Sequence, residues 1–108
     1  MKLINDIAKL KQVVSNNGLF LLYVQAPDCG LCSMMLNKIE MLVSEFENLI
    51  SARSELQVVP QLAGTFMVAT APTVLLFANG REICRAGNFI DVLELRKVLS
   101  QWNEAITD

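Results

Sequence analysis

The sequence contains no histidine and only three cysteines among its 108 residues. Structural zinc sites are closed by cysteine and histidine side chains, so an intrachain zinc site here would need carboxylates as further ligands. Basic residues are not in excess either, because nine Lys and Arg against eleven Asp and Glu give a net charge of −2. Proteins that bind nucleic acid or anionic membranes carry a basic surface. We therefore expect neither nucleic acid nor a membrane among the partners.

Long apolar runs and an N-terminal signal segment are missing as well. No stretch reaches the roughly 18 apolar residues that a membrane span needs. The first residues lead directly into a charged periodic segment, without the apolar core of a signal peptide. We expect a cytosolic protein, in which a disulfide is transient and catalytic rather than structural. The length and the 53% hydrophobic content predict a single globular domain over residues 1–108.

The residues with chemistry lie in the stretch Ala26–Cys32, where Gly30 and Leu31 separate two cysteines. The preceding residues, 19–24, are continuously apolar, which is typical of a strand buried on both faces. Apolar residues then recur at three- and four-residue steps to about Phe46, which predicts a helix with one face in the core. The motif therefore lies between a strand and a helix. The positive end of the helix dipole lowers the pKa of Cys29 and favours it as the attacking sulfur, and Cys32 can close a disulfide with it.

Two other interpretations of these cysteines remain open. They can be half of a zinc site completed by carboxylates, or two ordinary buried thiols, since free cysteine packs as a small hydrophobe. Only Cys32 falls on the apolar stripe, and Pro27, Asp28 and Gly30 indicate a turn that leaves Cys29 at the surface. A Cys-x-x-Cys near alternating strands and helices favours a redox dithiol.

The rest of the sequence predicts alternating strands and helices. The third strand has two candidates, residues 49–54 and 56–59, and periodicity cannot decide between runs this short. The first helix is capped by Asn5 or Asp6 and ends at 16–18 with residues that tolerate the left-handed conformation. The sequence also predicts an edge strand at 3–4, a helix at 61–66 opened by Pro60, and a strand at 73–77. An Asn79–Gly80 hairpin turn leads to a return strand at 81–86, which Gly87 breaks. The last helix starts at Asp91-x-x-Glu94, and its apolar face carries Leu95, Val98, Leu99, Trp102 and Ile106.

This order puts parallel units first and an antiparallel hairpin last. The fold class is therefore α/β, with a central mixed sheet of four to five strands and helices on both faces.

The sequence resembles the thioredoxin superfamily over essentially its whole length. Three stretches carry the resemblance: Ala26–Cys32 with its strand and helix, Val59–Val68 as the third helix, and Thr70–Gly80 as the cis-proline loop and hairpin. It implies a thioredoxin-like fold without cofactor or metal. It also implies a thiol–disulfide oxidoreductase that acts on disulfide-containing proteins and receives electrons from a thioredoxin-reductase-type or other thiol donor.

The resemblance also implies roles for individual residues. Pro72 matches the proline whose peptide bond is cis and which faces the dithiol, whereas sequence alone favours a simple strand-entry proline. The backbone of Ala71 is expected to pair with an extended substrate. The remaining matches are the nucleophile Cys29, the resolving thiol Cys32, and the spacer residues Gly30 and Leu31.

Three positions depart from the family pattern. Tyr23 stands where thioredoxin has a buried Asp, whose Lys partner has a counterpart in Arg53, and Leu31 replaces the usual Pro. Asp28 stands where the family has Trp, and its negative charge beside Cys29 disfavours the thiolate. These departures keep an alternative function open: a thioredoxin-like adaptor or redox-sensing module that binds a partner in the groove beside Pro72.

Two further sulfur-containing residues have provisional interpretations. Cys84, in the hairpin, is interpreted as a packed or half-exposed thiol. Met34 lies off the apolar stripe beside the motif, either as an ordinary surface residue or as a substrate contact.

Overall fold

The computed structural model describes residues 1–87 and 89–107, with side chains described for all of these except 106 and 107. Strands and helices follow in the predicted order, and the α/β class with one central mixed sheet is confirmed. The elements are β1 Lys2–Leu3, α1 Ile7–Asn16, β2 Leu19–Gln25, α2 Gly30–Ser44, β3 Leu49–Glu55, α3 Gln61–Phe66, β4 Thr73–Ala78, β5 Arg81–Gly87 and α4 Val92–Thr107.

The five strands form one mixed sheet in the order β1-β3-β2-β4-β5. Strands β1, β3 and β2 are parallel to one another, whereas β4 is antiparallel to β2 and β5 is antiparallel to β4. The hairpin between β4 and β5 turns through Asn79 and Gly80, whose positive φ angles of 51° and 82° suit these two residue types. The sheet is therefore assembled as the sequence predicted, with all five strands present.

Strand β2 lies at the centre of the sheet and contributes to two separate hydrophobic cores. Its side chains alternate between the faces, so Leu21 and Tyr23 belong to one core while Phe20 and Leu22 belong to the other. The first core is closed by residues of α2 and α4, and the second by residues of α1 and α3. Both faces of β2 are thus buried, which explains its unbroken run of apolar residues.

No helix in the described part of the chain is long and apolar enough to cross a membrane.

The structure corrects several of the predicted boundaries. The third strand is the first of the two candidates extended to Glu55, because its parallel register with β2 runs from Leu49 to that residue. The edge strand lies one residue earlier than expected, at Lys2–Leu3, and Ile4 turns into the core. Gly87 does not break β5 but ends it, paired with Thr73.

The end of the first helix also differs from the prediction. Asn17 is extended, with φ −118° and ψ 141°, rather than left-handed, and its side-chain amide donates to the carbonyl of Val13 at 2.6 Å. The side chain thus satisfies a terminal carbonyl that a left-handed residue would otherwise have served. At the other end, Asp6 is the N-cap and accepts from Lys9 N–H, while Asn5 instead bonds Glu55 in β3.

The last helix is capped as expected, since the carboxylate of Asp91 accepts hydrogen bonds from the N–H groups of Leu93 and Glu94 at 3.0 and 3.3 Å. Leu95 and Leu99 are buried on its inner face. The predicted contribution of Ile106 lies outside the described side chains.

Candidate active site

The two cysteines of the motif lie at the first turn of α2. They form a disulfide with their Cα atoms 5.2 Å apart. Cys29 is the N-cap residue of the helix, and its sulfur accepts a hydrogen bond from the N–H of Cys32 at 3.1 Å. That N–H is one of the donors that a helix leaves unpaired at its N-terminus. The sulfur of Cys29 therefore sits at the positive end of the helix, as the sequence predicted.

The two sulfurs differ in burial because they belong to different parts of the helix. Cys32 is only 4% exposed, since it begins the apolar stripe that Met35, Ile39 and Leu42 continue into the core. Cys29 precedes the helix and is half-buried rather than fully at the surface as expected. Its sulfur is turned onto the first turn to accept the Cys32 N–H, and this partly covers it.

The residues beside the cysteines leave the site open to a partner. Asp28 and Gly30 are exposed, and nothing lies within 4 Å of the position that a Cβ would take on Gly30. Asp28 has a φ of 52°, in the left-handed region that Asp tolerates better than most residues do. Leu31 is half-buried against the core that contains α2. The sequence indicated a turn at Asp28 and a charge beside Cys29, but not this left-handed conformation.

Tyr23 lies directly beneath the dithiol. Its side chain is fully buried in β2, and its hydroxyl donates a hydrogen bond to the carbonyl of Cys32 at 2.7 Å. Burial raises the pKa of Tyr23 to about 12, so the phenol stays neutral. The residue therefore fastens the first turn of α2 to the sheet but offers no carboxylate to accept a proton from Cys32. Arg53, the expected counterpart of the Lys that partners the family's buried Asp, lies opposite Tyr23 in β3. Its Nε donates to the carbonyl of Met1.

The loop before β4 lies at the same edge of the sheet as the dithiol. In the antiparallel pairing of β2 with β4, Val24 is opposite Thr73, so the residues that follow β2 adjoin those that precede β4. The Ala71–Pro72 peptide bond in this loop is cis. Pro72 is buried and Ala71 is half-buried, and the hydroxyl of Thr73 donates to the carbonyl of Thr70 at 2.7 Å. The fold thus brings together the two stretches that the sequence singled out.

The remaining sulfur-containing residues are not part of this arrangement. Cys84 is half-buried in β5, opposite Leu76, and burial raises the pKa of its thiol. Met34 is exposed on α2, where a role in substrate contact stays a prediction. Within residues 1–87 and 89–107 no group of three or more cysteine or carboxylate side chains is placed to hold a metal ion.

Arg85 is a residue near the site that no sequence pattern indicated. The guanidinium of this β5 residue donates to the carbonyls of Phe66 and Met67, at the end of α3. No local pattern marks the contact, because it joins residues that are far apart in sequence and meet only in the folded sheet.

A dithiol with one partly accessible sulfur at a helix N-terminus and its partner buried one turn further exchanges disulfides with other thiols. The protein is accordingly a thiol–disulfide oxidoreductase. The model of the family "Thioredoxin" matches residues 3–101, and the chain belongs to that family.

Individual relatives agree with this membership. A thioredoxin from Chlamydia muridarum is 31% identical over 85 residues, covering 79% of this chain and 83% of the relative. The thioredoxin-like protein YdfQ of Bacillus subtilis is 24% identical over 98 residues, covering 91% of this chain and 88% of the relative. The structure of a mutant thioredoxin from Halobacterium salinarum has a TM-score of 0.83 at 24% identity, covering 94% of this chain and 89% of that one, and shows the shared fold.

Proposed function

We propose that the protein reduces disulfides in other proteins, with Cys29 as the attacking sulfur and Cys32 as the resolving sulfur. The observation that carries this assignment is the asymmetry of the pair. Cys29 is half-exposed at the helix N-terminus and already accepts a backbone N–H, whereas Cys32 is buried against the core. A thiolate is stabilised at the first position and shielded from substrates at the second.

The reaction follows from this order of attack. The thiolate of Cys29 attacks one sulfur of the substrate disulfide, forming a mixed disulfide and releasing the other substrate sulfur as a thiolate that takes up a proton. Cys32 then loses its proton and attacks the sulfur of Cys29, which releases the second substrate thiol. Two electrons pass to the substrate, and the protein is left with the Cys29–Cys32 disulfide.

The substrate binds, in this proposal, along the edge that the dithiol shares with the loop before β4. An extended polypeptide pairs with the backbone of Ala71, which is the strand-addition mode of peptide recognition. Pro72 shapes the loop, and the open space above Gly30 together with the side chain of Leu31 receives the chain beyond the disulfide. The support for these roles is the β2–β4 register, which brings both stretches to one edge.

Tyr23 and Asp28 modulate the chemistry. The hydroxyl of Tyr23 holds the first turn of α2 and supplies no base for Cys32, so we expect the resolving step to be slow. The carboxylate of Asp28 stands next to Cys29 in the chain and opposes the stabilisation of its thiolate by the helix terminus.

The disulfide must be reduced again after each turnover by a thiol donor. A relative from Mycobacterium leprae, 30% identical over 83 residues that make up 18% of its length, is a bifunctional thioredoxin reductase/thioredoxin. This supports a thioredoxin-reductase-type donor for the present protein. We further propose that residues 1–108 act as one unit in the cytosol, where such donors keep dithiols reduced.

Trapping of mixed disulfides tests the proposal. Cys32→Ser leaves the attack intact but removes resolution, so mixed disulfides with cytosolic proteins should accumulate through Cys29. Cys29→Ser should trap almost nothing, because the remaining thiol is buried. The measurement is a pull-down from cell extract with each variant, analysed with and without reductant, and Cys84→Ser serves as the matched control for an unrelated thiol.

Reductant separates the enzyme from the adaptor alternative. Partners of Cys32→Ser should be released by dithiothreitol. Partners that stay bound in reductant, are captured equally by Cys29→Ser, and disappear when Pro72 is replaced would instead identify an adaptor.

A further inference from the structure

The side chain of Arg85 joins the edge strand β5 to the end of α3. Its Nη1 donates to the carbonyl of Met67 at 2.6 Å, and its Nη2 donates to the carbonyl of Phe66 at 2.5 Å. The same guanidinium binds the carboxylate of Glu82 through Nε at 2.9 Å and Nη2 at 2.8 Å. One edge of the planar group thus holds a carboxylate, and the rest of it holds two backbone carbonyls.

Helix α3 has few polar contacts besides this one, although the ring of Phe66 packs edge-to-face on Phe77 with centroids 5.7 Å apart. It is only six residues long, its N-cap Pro60 provides no side-chain hydrogen bond, and Leu62 is its one fully buried residue. A helix of this length is unstable by itself and depends on tertiary contacts. The last carbonyls of a helix carry partial negative charge and lack partners within the helix, so a guanidinium there satisfies both needs.

The residues that Arg85 holds lead directly to the loop beside the dithiol. Met67 ends the helix in the left-handed conformation, with φ 56°, and five residues later the chain reaches Pro72. Between them, Val68 is buried and the hydroxyl of Thr73 holds the carbonyl of Thr70. The segment 67–72 is thus fixed at its start by Arg85 and near its end by Thr73.

Glu82 keeps the guanidinium in the orientation that this contact requires. The two residues are three apart in β5, on either side of an irregularity in its pairing with β4 at Leu76 and Phe77. The hydrogen bond from Arg85 to the Glu82 carboxylate raises the pKa of the guanidinium, which therefore remains charged at any physiological pH. A lysine at this position would carry the charge but could not hold a carboxylate and two carbonyls in one plane.

We propose that Arg85, oriented by Glu82, is a positioning residue for the substrate-binding loop, and that it sets the affinity for protein disulfides without touching the dithiol. The inference rests on the proposed function, because it concerns the loop at which an extended substrate is expected to pair with Ala71. Loss of the contact leaves the start of the segment 67–72 held only by the buried Val68 and by backbone hydrogen bonds to the carbonyl of Leu62, so the backbone that receives the substrate is held less firmly.

Arg85→Ala is the variant that tests this. With insulin as the protein disulfide and dithiothreitol as the electron donor, we expect KM to rise about tenfold while kcat changes little, which is the pattern of a lost binding contact. Dithiobis-nitrobenzoate, a small disulfide with no backbone to pair with the loop, is given to the pre-reduced protein after dithiothreitol has been removed, because that donor reduces it directly, and its rate of reduction should equal that of wild type. Glu82→Gln retains an acceptor but loses its charge, so it should raise the KM for insulin by a smaller factor than Arg85→Ala does.

Arg96→Ala is the matched control. Arg96 makes a similar two-bond contact with the Glu45 carboxylate, and both arginine side chains are exposed to nearly the same extent, 38% and 36%. The Arg96 contact joins α4 to α2 and does not reach residues 66–72. This variant should leave KM for insulin unchanged, and circular dichroism should show all three variants folded at the assay temperature.

The outcomes separate this inference from the function on which it rests. If the wild-type protein reduces neither insulin nor the small disulfide, the proposed function fails. If the wild type is active and Arg85→Ala has the same KM for insulin as Arg96→Ala, the function stands and the positioning role is wrong. Equal losses with insulin and with the small disulfide would also overturn it, because they indicate damage to the dithiol itself.

Discussion

Helix α2 carries the dithiol and helix α3 leads into the loop beside it, and the two helices are held in different ways. Helix α2 has 15 residues, buries Cys32, Met35, Ile39 and Leu42, and receives the hydroxyl of Tyr23 at its first turn. Helix α3 has six residues, buries Leu62, packs the ring of Phe66 on Phe77, and receives the guanidinium of Arg85 at its end. The reactive sulfurs are thus fixed by apolar packing, whereas the loop beside them is fixed by the buried Val68 and Pro72 together with polar contacts near the surface. The difference suits a rigid reacting centre next to the loop at which we propose that substrates bind.

We expect the largest loss of stability from a charged side chain placed beneath α2 in the hydrophobic core. Tyr23→Asp replaces the buried phenol by a smaller, charged side chain and should lower the free energy of unfolding by several kcal/mol. The carboxylate should at the same time speed the resolving step, because it can accept the proton of Cys32. Stopped-flow measurement of mixed-disulfide decay, in folded protein, gives the rate.

Tyr23→Asn is the matched control for that experiment. It creates nearly the same cavity without the carboxylate and should be destabilised without faster resolution. Equal resolution rates in the two variants would mean that a base beneath Cys32 is not what limits the reaction.

Removing apolar contact from the same helix should come next in size. Ile39 is fully buried between α2 and the sheet, so Ile39→Ala should lower the free energy of unfolding by about 2–5 kcal/mol. Urea denaturation measures the change. Lys38→Ala, at the exposed neighbouring position, should stay within about 0.5 kcal/mol of wild type. A small loss at Ile39 would contradict the view that packing is what holds α2.

Alkaline pH gives a third test, through the hydroxyl of Tyr23. Its pKa is raised to about 12 in the folded protein from an ordinary value of 10.0. The unfolded chain therefore loses this proton first, and the stabilisation is complete below pH 10 and lost as pH rises towards 12. Two pKa units correspond to about 3 kcal/mol.

The chain contains one tyrosine, so ultraviolet titration of phenolate reports on this residue alone. Tyr23→Phe should have a flatter stability profile between pH 10 and 12 than wild type. Matching profiles for the two proteins would show that other groups account for the alkaline loss.

We expect the smallest effect on stability from the contact at the C-terminal end of α2. The hydrogen bond and charge of Arg96 hold the pKa of the exposed Glu45 carboxyl below its usual value. Its slight stabilising effect is present above the pKa of an unfolded glutamate and is lost as pH falls through the folded value. Titration followed by NMR should show the midpoint of Glu45 move upward in Arg96→Ala, and an unchanged midpoint would rule out the pairing.

The parts of the fold that the sequence predicted are those determined by neighbours in the chain. The unbroken apolar run of β2, the long stripe of α2 and the Asn79–Gly80 turn each carry a local signal strong enough to be recognised. The choice between the two candidates for β3 depended on pairing with β2, a contact between distant segments. The extended conformation of Asn17 likewise depended on a side-chain hydrogen bond that composition does not reveal.

The features of the candidate site also fall into those that the local sequence predicts and those that it does not. The position of Cys29 at the start of a helix follows from local order, and so does the burial of Cys32 on the apolar stripe. The hydrogen bond from Tyr23 to Cys32 arises only when α2 packs back on β2, and the contact of Arg85 with α3 only when β5 has joined the sheet. Their donors are ordinary members of their strands in the sequence, so only the folded structure reveals what they do.

The hydrogen bond between the Cys32 N–H and the sulfur of Cys29 makes that amide a spectroscopic reporter of the reaction. A thiolate is a stronger acceptor than a disulfide sulfur, because charge-assisted hydrogen bonds are shorter and stronger. The amide proton should therefore resonate further downfield in the reduced, ionised protein than in the oxidised one. A single amide cross-peak of the isotope-labelled protein would then follow oxidation state and thiol ionisation during turnover, without chemical modification of either sulfur.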